Sequence, residues 1–430
     1  MRRRSFRLNV AVYSGASALV AVLSLLNVVV TSRLLGPEGR GAIAFLTTIA
    51  MLGSQLSSLG VEEAAGNIAG RRPEQRPALA TNALIFAAAL GALMGVAILA
   101  LTVLAPGTAA ESSLELRVAA VGAIPLLVFQ YYLGFIVRAD YGFAVTNATA
   151  LIAPVFNLGA NGTLALTGTL SVKTAVAAWI VGQLLSTATL AWYVARRLAG
   201  FGRPNLGLGR SMLTFGIQAH AGRVMKAGNY RLDQWILGAL AGQRELGLYS
   251  VAVAWSEGMF LLPEALAAVI RPDVVRSGQG EAGSRTAAAF RIGILMTVPA
   301  MLIVILAAPI LCVSVFGADF ADSIVELRVL ACGALGIVAM KILANSLVAQ
   351  GRPMLSSLAI GLAFVTTIAF DVTLIPSFGG VGAAAASTIA YTTGGVAVAI
   401  IFARTTGVRL MDLIPRGRGT WGSTWSFAKR

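Results

Sequence analysis

Between Phe215 and Leu237 the sequence places His220, Arg223, Lys226, Arg231 and Asp233 in a stretch otherwise rich in apolar residues and glycine. Arginine offers a planar fork of N–H donors that fits phosphate or carboxylate, and lysine a compact positive charge. At about 100° per residue a helix carries His220, Arg223, Lys226, Tyr230, Arg231 and Gln234 on one side. Ala221, Met225, Gly228, Leu232, Trp235 and Ile236 fall on the opposite side. Such a cationic strip suits a phosphate or pyrophosphate group, which makes Arg223, Lys226, His220 and Arg231 candidate substrate-binding residues. The competing expectation is neutralisation by acids, with Asp233 on the same face and Glu257 and Glu264 as partners further along the chain. Lys341, with Asn345 one turn on, is a second polar pair in an apolar stretch and joins the candidate binding set. Asn157 and Asn161, also one turn apart, are expected to pair helices rather than to bind sugar hydroxyls.

Other chemistries lack their residues. There is no Gly-x-x-x-x-Gly-Lys-Ser/Thr, Gly-x-Ser-x-Gly, His-Glu-x-x-His or Cys-x-x-Cys in the chain. One histidine in 430 residues removes most acid–base and metal schemes, and Cys312 and Cys332 lie in apolar stretches. No catalysis, metal or cofactor is expected.

The elements that hold the cationic strip follow from composition. Hydrophobic residues make up 57% and charged residues 12%, too few charges to cover a water-soluble surface. A spanning helix needs about 20 mostly apolar residues. Segments of that kind run near 9–34, 41–65, 78–104, 117–137, 143–167 and 174–195. Six more run near 211–241, 246–270, 292–316, 323–349, 354–376 and 381–403. The reading is therefore an all-α polytopic membrane protein of about twelve spans. The seventh must cross despite its charges. One Arg or Lys at a span centre costs about 2.5–3.5 kcal/mol, so three facing lipid would cost roughly 8–10 kcal/mol. They should face protein or a watery cavity.

Loop charge sets the orientation, because Lys and Arg accumulate on the cytoplasmic side. With the N-terminus inside, 23 basic residues fall in inner segments. Six fall in outer ones: Arg33, Arg40, Arg117, Lys173, Arg244 and Arg328. The net charge of +15 is thus mostly topology, and no nucleic acid is required. Both termini are expected in the cytoplasm of a protein of the plasma (inner) membrane. The Gly/Pro-containing connection 196–210 divides the chain into a six-helix lobe at 1–195 and another at 211–404. A basic tail, 405–430, ends in Trp421 and Trp425 and is expected to rest on anionic membrane lipids.

The halves carry a weak parallel repeat. Leu34-Leu35-Gly36-Pro37-Glu38-Gly39-Arg40-Gly41 follows the first span, and Leu240-Ala241-Gly242-Gln243-Arg244-Glu245-Leu246-Gly247 follows the seventh. Each is a short glycine turn with a glycine entering the next helix. Six spans per half imply a pseudo-twofold along the membrane normal.

Ser32-Arg33-Leu34-Leu35-Gly36-Pro37-Glu38-Gly39-Arg40-Gly41 resembles the first outer turn of the polysaccharide flippases. These are the lipid-linked oligosaccharide branch of the multidrug/oligosaccharidyl-lipid/polysaccharide exporter superfamily. Asp233-Gln234-Trp235-Ile236-Leu237-Gly238, then Glu245-Leu246-Gly247-Leu248-Tyr249-Ser250, resembles that family's seventh-to-eighth helix junction. The resemblance implies two six-helix lobes in a V that flip a polyprenyl-(pyro)phosphate-linked oligosaccharide outward by alternating access. Glycosyl transferases and a polymerase of the same pathway are the partners it implies. A multidrug extrusion-type cation antiporter is the alternative; it wants a buried carboxylate, and the first span, Leu8 to Leu35, has none. A non-transporting scaffold, the third reading, needs no cationic helix.

Overall fold

A computed structural model describes residues 6–104, 112–198 and 200–415. The expectations for Arg2, Arg3 and Arg4, and for the tail at Trp421 and Trp425, lie outside the described residues. Those residues form helices α1 (Phe6–Ser57), α2 (Val61–Arg71), α3 (Arg76–Leu104), α4 (Leu114–Gly122), α5 (Ile124–Ala139) and α6 (Phe143–Leu166). They continue with α7 (Val172–Arg197), α8 (Leu206–Leu240), α9 (Gln243–Arg276), α10 (Gln279–Pro309), α11 (Ser323–Ala349) and α12 (Pro353–Thr406).

Nine helical stretches among the described residues are long and apolar enough to cross a membrane. Two of them are double. The 52-residue α1 breaks at Gly36 (φ 67°), and the 54-residue α12 breaks at Gly379 (φ 53°), so each contains two spans. The cations of α8 keep it out of the apolar set, yet its 35 residues reach about 52 Å at 1.5 Å per residue. Twelve spanning segments result. The second continues past a turn at Leu59–Gly60 into α2, and the fourth is α4 and α5 joined at Ala123, with Pro125 in the first turn of α5. Helices meet what a bilayer demands, since each satisfies its backbone polar groups within its own segment.

The chain divides into two compact units, Met1–Ser250 and Val251–Arg430. In the first, Ile43, Leu46, Ala120, Ala175 and Val176 form an apolar core. In the second, α11 supplies Val338, Ile342, Leu343 and Leu347 to a core with Ala359, Val398 and Phe402. Leu93, Val96 and Leu104 on α3 and Leu306 and Ile310 at the end of α10 are exposed, as lipid-facing residues should be.

The connection before α8 is tied down. Asn82 on α3 donates from Nδ2 to the Asn205 carbonyl at 2.8 Å and accepts the Asn205 N–H at 3.1 Å. Thr81 Oγ1 donates to the Gly202 carbonyl at 2.7 Å. Asn205 then caps α8, its Oδ1 accepting from the Leu208 N–H at 2.9 Å. The start of the cationic helix is thereby registered against α3. Elsewhere, Asn161 Nδ2 donates to Asn27 Oδ1 at 2.8 Å and joins α6 to α1, the helix-pairing role expected of it.

Candidate functional site

The site begins at a turn. Leu59 (φ 48°) and Gly60 (φ 70°) are both left-handed and interrupt the second span. A Cβ on Gly60 would stand 2.2 Å from the Gly216 carbonyl oxygen, and one on Gly216 would stand 2.6 Å from that of Leu59. Only glycines let α8 and this turn meet backbone to backbone. The contact places the first turn of α2, with Glu62 and Glu63, opposite the middle of α8. Acids in a helix's first turn also suit its dipole.

Arg223 bridges both acids. Its Nη2 lies 2.5 Å from Glu63 Oε1 and its Nε 2.9 Å from Glu62 Oε1. Glu62 is 1% exposed and Glu63 44%. Ser58 Oγ donates to Glu62 Oε1 at 3.2 Å, and Tyr132 O–H on α5 donates to the Ser58 carbonyl at 2.8 Å. The guanidinium also lies over the Phe135 ring, 5.5 Å from its centroid. One turn earlier on α8, His220 hydrogen-bonds the Leu56 backbone, while its Nδ1 is buried with no hydrogen-bond partner. Acids of a neighbouring helix do neutralise Arg223, and they are Glu62 and Glu63.

Further along α8, Lys226 is exposed and Arg231 half-buried, and both hold polar or electrostatic contacts. Arg231 lies within the field of Arg40. Asp233 accepts from Tyr249 O–H at 2.6 Å and from the Gln234 N–H at 2.7 Å, and Gln234 Oε1 accepts from Thr48 at 3.3 Å. Arg40 Nε donates to Ser250 Oγ at 3.0 Å.

Beside these residues the two repeated glycine turns meet each other. A Cβ on Gly41 would fall 1.6 Å from the Gln243 carbonyl oxygen, and one on Gly247 would fall 1.8 Å from that of Pro37. Gly41 and Gly247 each follow a positive-φ glycine, Gly36 and Gly242, by five residues. Pro37 and Gln243 each follow it by one. The contact is therefore reciprocal, as a local twofold requires. It fixes the register of the repeat, Gly36 with Gly242.

Lys341 and Asn345 belong to the second unit. Lys341 Nζ pairs with Glu264 Oε2 at 2.8 Å, and Asn345 Nδ2 donates to the Lys341 carbonyl at 2.6 Å. Glu264, expected as a partner for the seventh span, serves this lysine. No group of metal-ligating side chains occurs among the described residues.

The polysaccharide biosynthesis protein family matches residues 30–325, more than half of the chain, from the middle of α1 to the start of α11. The chain belongs to this family. No curated protein sequence matches this polysaccharide biosynthesis protein. Its fold is shared with solved transporters of the MOP superfamily. The lipid II flippase MurJ in an inward closed conformation superposes with a TM-score of 0.71 at 15% identity, covering 93% of this chain and 88% of MurJ. An inward-facing multidrug resistance MATE family transporter gives 0.70 at 16% identity, covering 92% of this chain and 95% of that one. A MOP superfamily transporter from Pyrococcus furiosus, described by the reverse polarity of its binding pocket, gives 0.60 at 15% identity, with 94% and 96% covered. At such identities the likeness establishes the fold: a multi-pass membrane protein built as the MOP transporters are.

Among the residues singled out from sequence, the structure gathers His220, Arg223, Lys226 and Arg231 on one helix of the first unit. It adds Glu62, Glu63, Ser58 and Tyr132, which sequence reasoning missed. A signal for the acids was present, since Glu62 and Glu63 stand inside the apolar segment 41–65, and an ionisable residue within a span is a functional candidate by default.

Proposed function

We propose that this polysaccharide biosynthesis protein is a transporter that moves a polyprenyl-(pyro)phosphate-linked oligosaccharide from the inner to the outer leaflet of the plasma membrane. Arg223, Lys226 and Arg231 on α8 receive the phosphate groups, with His220 beside them. The observation that carries the reading is this run of three cations on one helix of a twelve-span protein whose family is polysaccharide biosynthesis. Two six-helix lobes, 1–195 and 211–404, alternate in opening to either side. Lys341 and Asn345 contribute from the second lobe. The protein makes and breaks no bonds of the saccharide, which glycosyl transferases and a polymerase build and extend.

One observation favours a second reading. The buried carboxylate that a cation antiporter needs is absent from the first span but present at the second, in Glu62. The two readings part on cargo. Purified protein in vesicles should translocate a polyprenyl-pyrophosphate sugar outward, and the Arg223→Ala, Lys226→Ala double variant should not. Loss of one charge-assisted contact costs about 1.5–3 kcal/mol, roughly ten- to hundredfold in affinity. Normal translocation by that double variant rejects the phosphate site, and efflux of cationic dyes by the parent favours the antiporter.

A further inference from the structure

We propose that phosphate binding at Arg223 is coupled to the uptake of one proton by Glu62. This inference rests on the reading of Arg223 as a phosphate ligand and adds to it what becomes of the carboxylates that now hold the guanidinium.

The geometry sets up a competition. A phosphate and a carboxylate ask for the same fork of N–H groups, and here two carboxylates have taken it. Two acids around one guanidinium leave a net negative charge at the place where an anion must approach. The grip is also uneven. Arg223 Nη2 hydrogen-bonds Glu63, whereas Nε lies 2.9 Å from Glu62 Oε1 without hydrogen-bond alignment. Glu62 is the weaker-held acid and the better buried one.

Its surroundings leave it dependent on Arg223. Glu62 Oε1 has Ser58 Oγ and the guanidinium, but Oε2 is buried with no hydrogen-bond donor. The charged and titratable groups around it are Glu63 on its own helix, Arg223 from α8, and Tyr131 and Tyr132 from α5. His220 lies within the field of Arg223, and Tyr131 lies within the fields of both Glu62 and Arg231. Tyr132 spends its proton on the Ser58 carbonyl rather than on Glu62. When a phosphate draws Arg223 away, Glu62 loses its counter-charge in a buried place, and the neutral acid becomes its stable form. The proton comes from solvent and forms an O–H bond at Oε2; nothing else is made or broken. Glu63, by contrast, is 44% exposed and remains in contact with solvent.

Linkage gives the sign. If binding takes up a proton, affinity rises as pH falls, by up to about tenfold per pH unit for one proton. The probe is a short-chain prenyl-pyrophosphoryl sugar, whose two phosphates each carry one ester and one anhydride bond and do not titrate near neutral pH. Titration calorimetry on the full chain in detergent, in buffers of different ionisation heat, counts protons taken up. The parent should take up close to one proton per probe and bind more tightly at lower pH. Glu62→Gln should bind with no proton uptake and a pH-independent affinity. Infrared difference spectra of the parent give a check that needs no variant: a protonated carboxyl band should appear on binding.

Binding by the parent with no proton uptake and no carboxyl band overturns the coupling and leaves the phosphate site standing. Proton uptake that persists in Glu62→Gln overturns the assignment to Glu62. Undiminished binding in Arg223→Ala overturns the phosphate site and the coupling with it.

Discussion

Removing Arg223 should unfold more than a binding site. The Arg223→Ala variant strips the counter-charge from Glu62, which is 1% exposed, and from Glu63, which is 44% exposed. The second loss is small, since a half-exposed ion pair contributes about 0–1 kcal/mol. The first is not. An uncompensated buried charge costs about 3–5 kcal/mol when its partner is deleted. Glu62 stands two residues past Gly60, whose backbone packs directly on that of Gly216. For a unit of this size the loss lowers the unfolding midpoint by on the order of 5–10 °C. Thermal unfolding of the detergent-solubilised protein, beside its level in the membrane, measures it. Neutralising the pair together should undo most of the damage. Arg223→Met with Glu62→Gln keeps the volume and removes both charges, an exchange that is often nearly neutral. A double-mutant cycle closed by the Arg223→Met and Glu62→Gln singles should therefore return a coupling on the order of 3 kcal/mol. An Arg223→Ala protein as stable as the parent, or a double variant no better than the single, would refute the ion pair as a structural tie. The stable double variant is also the right protein in which to test transport, because its failure there is not a failure to fold.

Three further outcomes are expected. In a background without Cys312 and Cys332, a cysteine at Thr169 should label from outside the cell and one at Pro204 only from inside; equal outside labelling of both refutes the orientation. Asn82→Ala removes two hydrogen bonds that seat the start of α8 on α3. It should destabilise the protein by about 1–3 kcal/mol, read as a lowered unfolding midpoint. Cysteines at Arg40 and Gln243 flank the Gly41–Gly247 crossing, and a disulfide between them should stop translocation until it is reduced. Undiminished translocation with the link fully formed argues that this crossing never opens.

What the sequence made legible has a physical pattern. Spans are properties of windows of about 20 residues, so apolar stretches disclose them without any knowledge of neighbours. The double helices α1 and α12 read as two spans each because Gly36 and Gly379 sit in short turns between apolar runs. The seventh span was legible for the opposite reason: its charges were too costly to leave unexplained. The repeat was visible only as two similar glycine turns. Its meaning, a reciprocal crossing of Gly41 on Gln243 and Gly247 on Pro37, is a tertiary fact. The partner of Arg223 was out of reach for the same reason. Glu62 lies some 160 residues away and faces α8 only because Leu59 and Gly60 turn the chain and Gly216 admits that turn. Reading along the chain favours acids close in sequence, such as Glu264, which pairs with Lys341 instead, and a helix neighbour need not be close in sequence.

The carboxylates also change what the cationic helix means. Substrate ligand and structural tie are usually posed as alternatives for an intramembrane arginine. Under the proposed function they are successive states of one side chain at Arg223. A guanidinium held by two carboxylates is already shaped for the planar, doubly accepting face of a phosphate, so the resting partners preserve the geometry the cargo will use. They also hold the resting charge of the site away from positive, which keeps stray anions from occupying it. A bare cationic strip would bind any phosphate and would be costly to keep in a membrane. A strip closed by buried acid opens only to an anion that binds Arg223 better than Glu62 does, and it opens more readily when Glu62 can take a proton. Selectivity and coupling would then reside in the same contact, the 2.9 Å approach of Arg223 Nε to Glu62 Oε1.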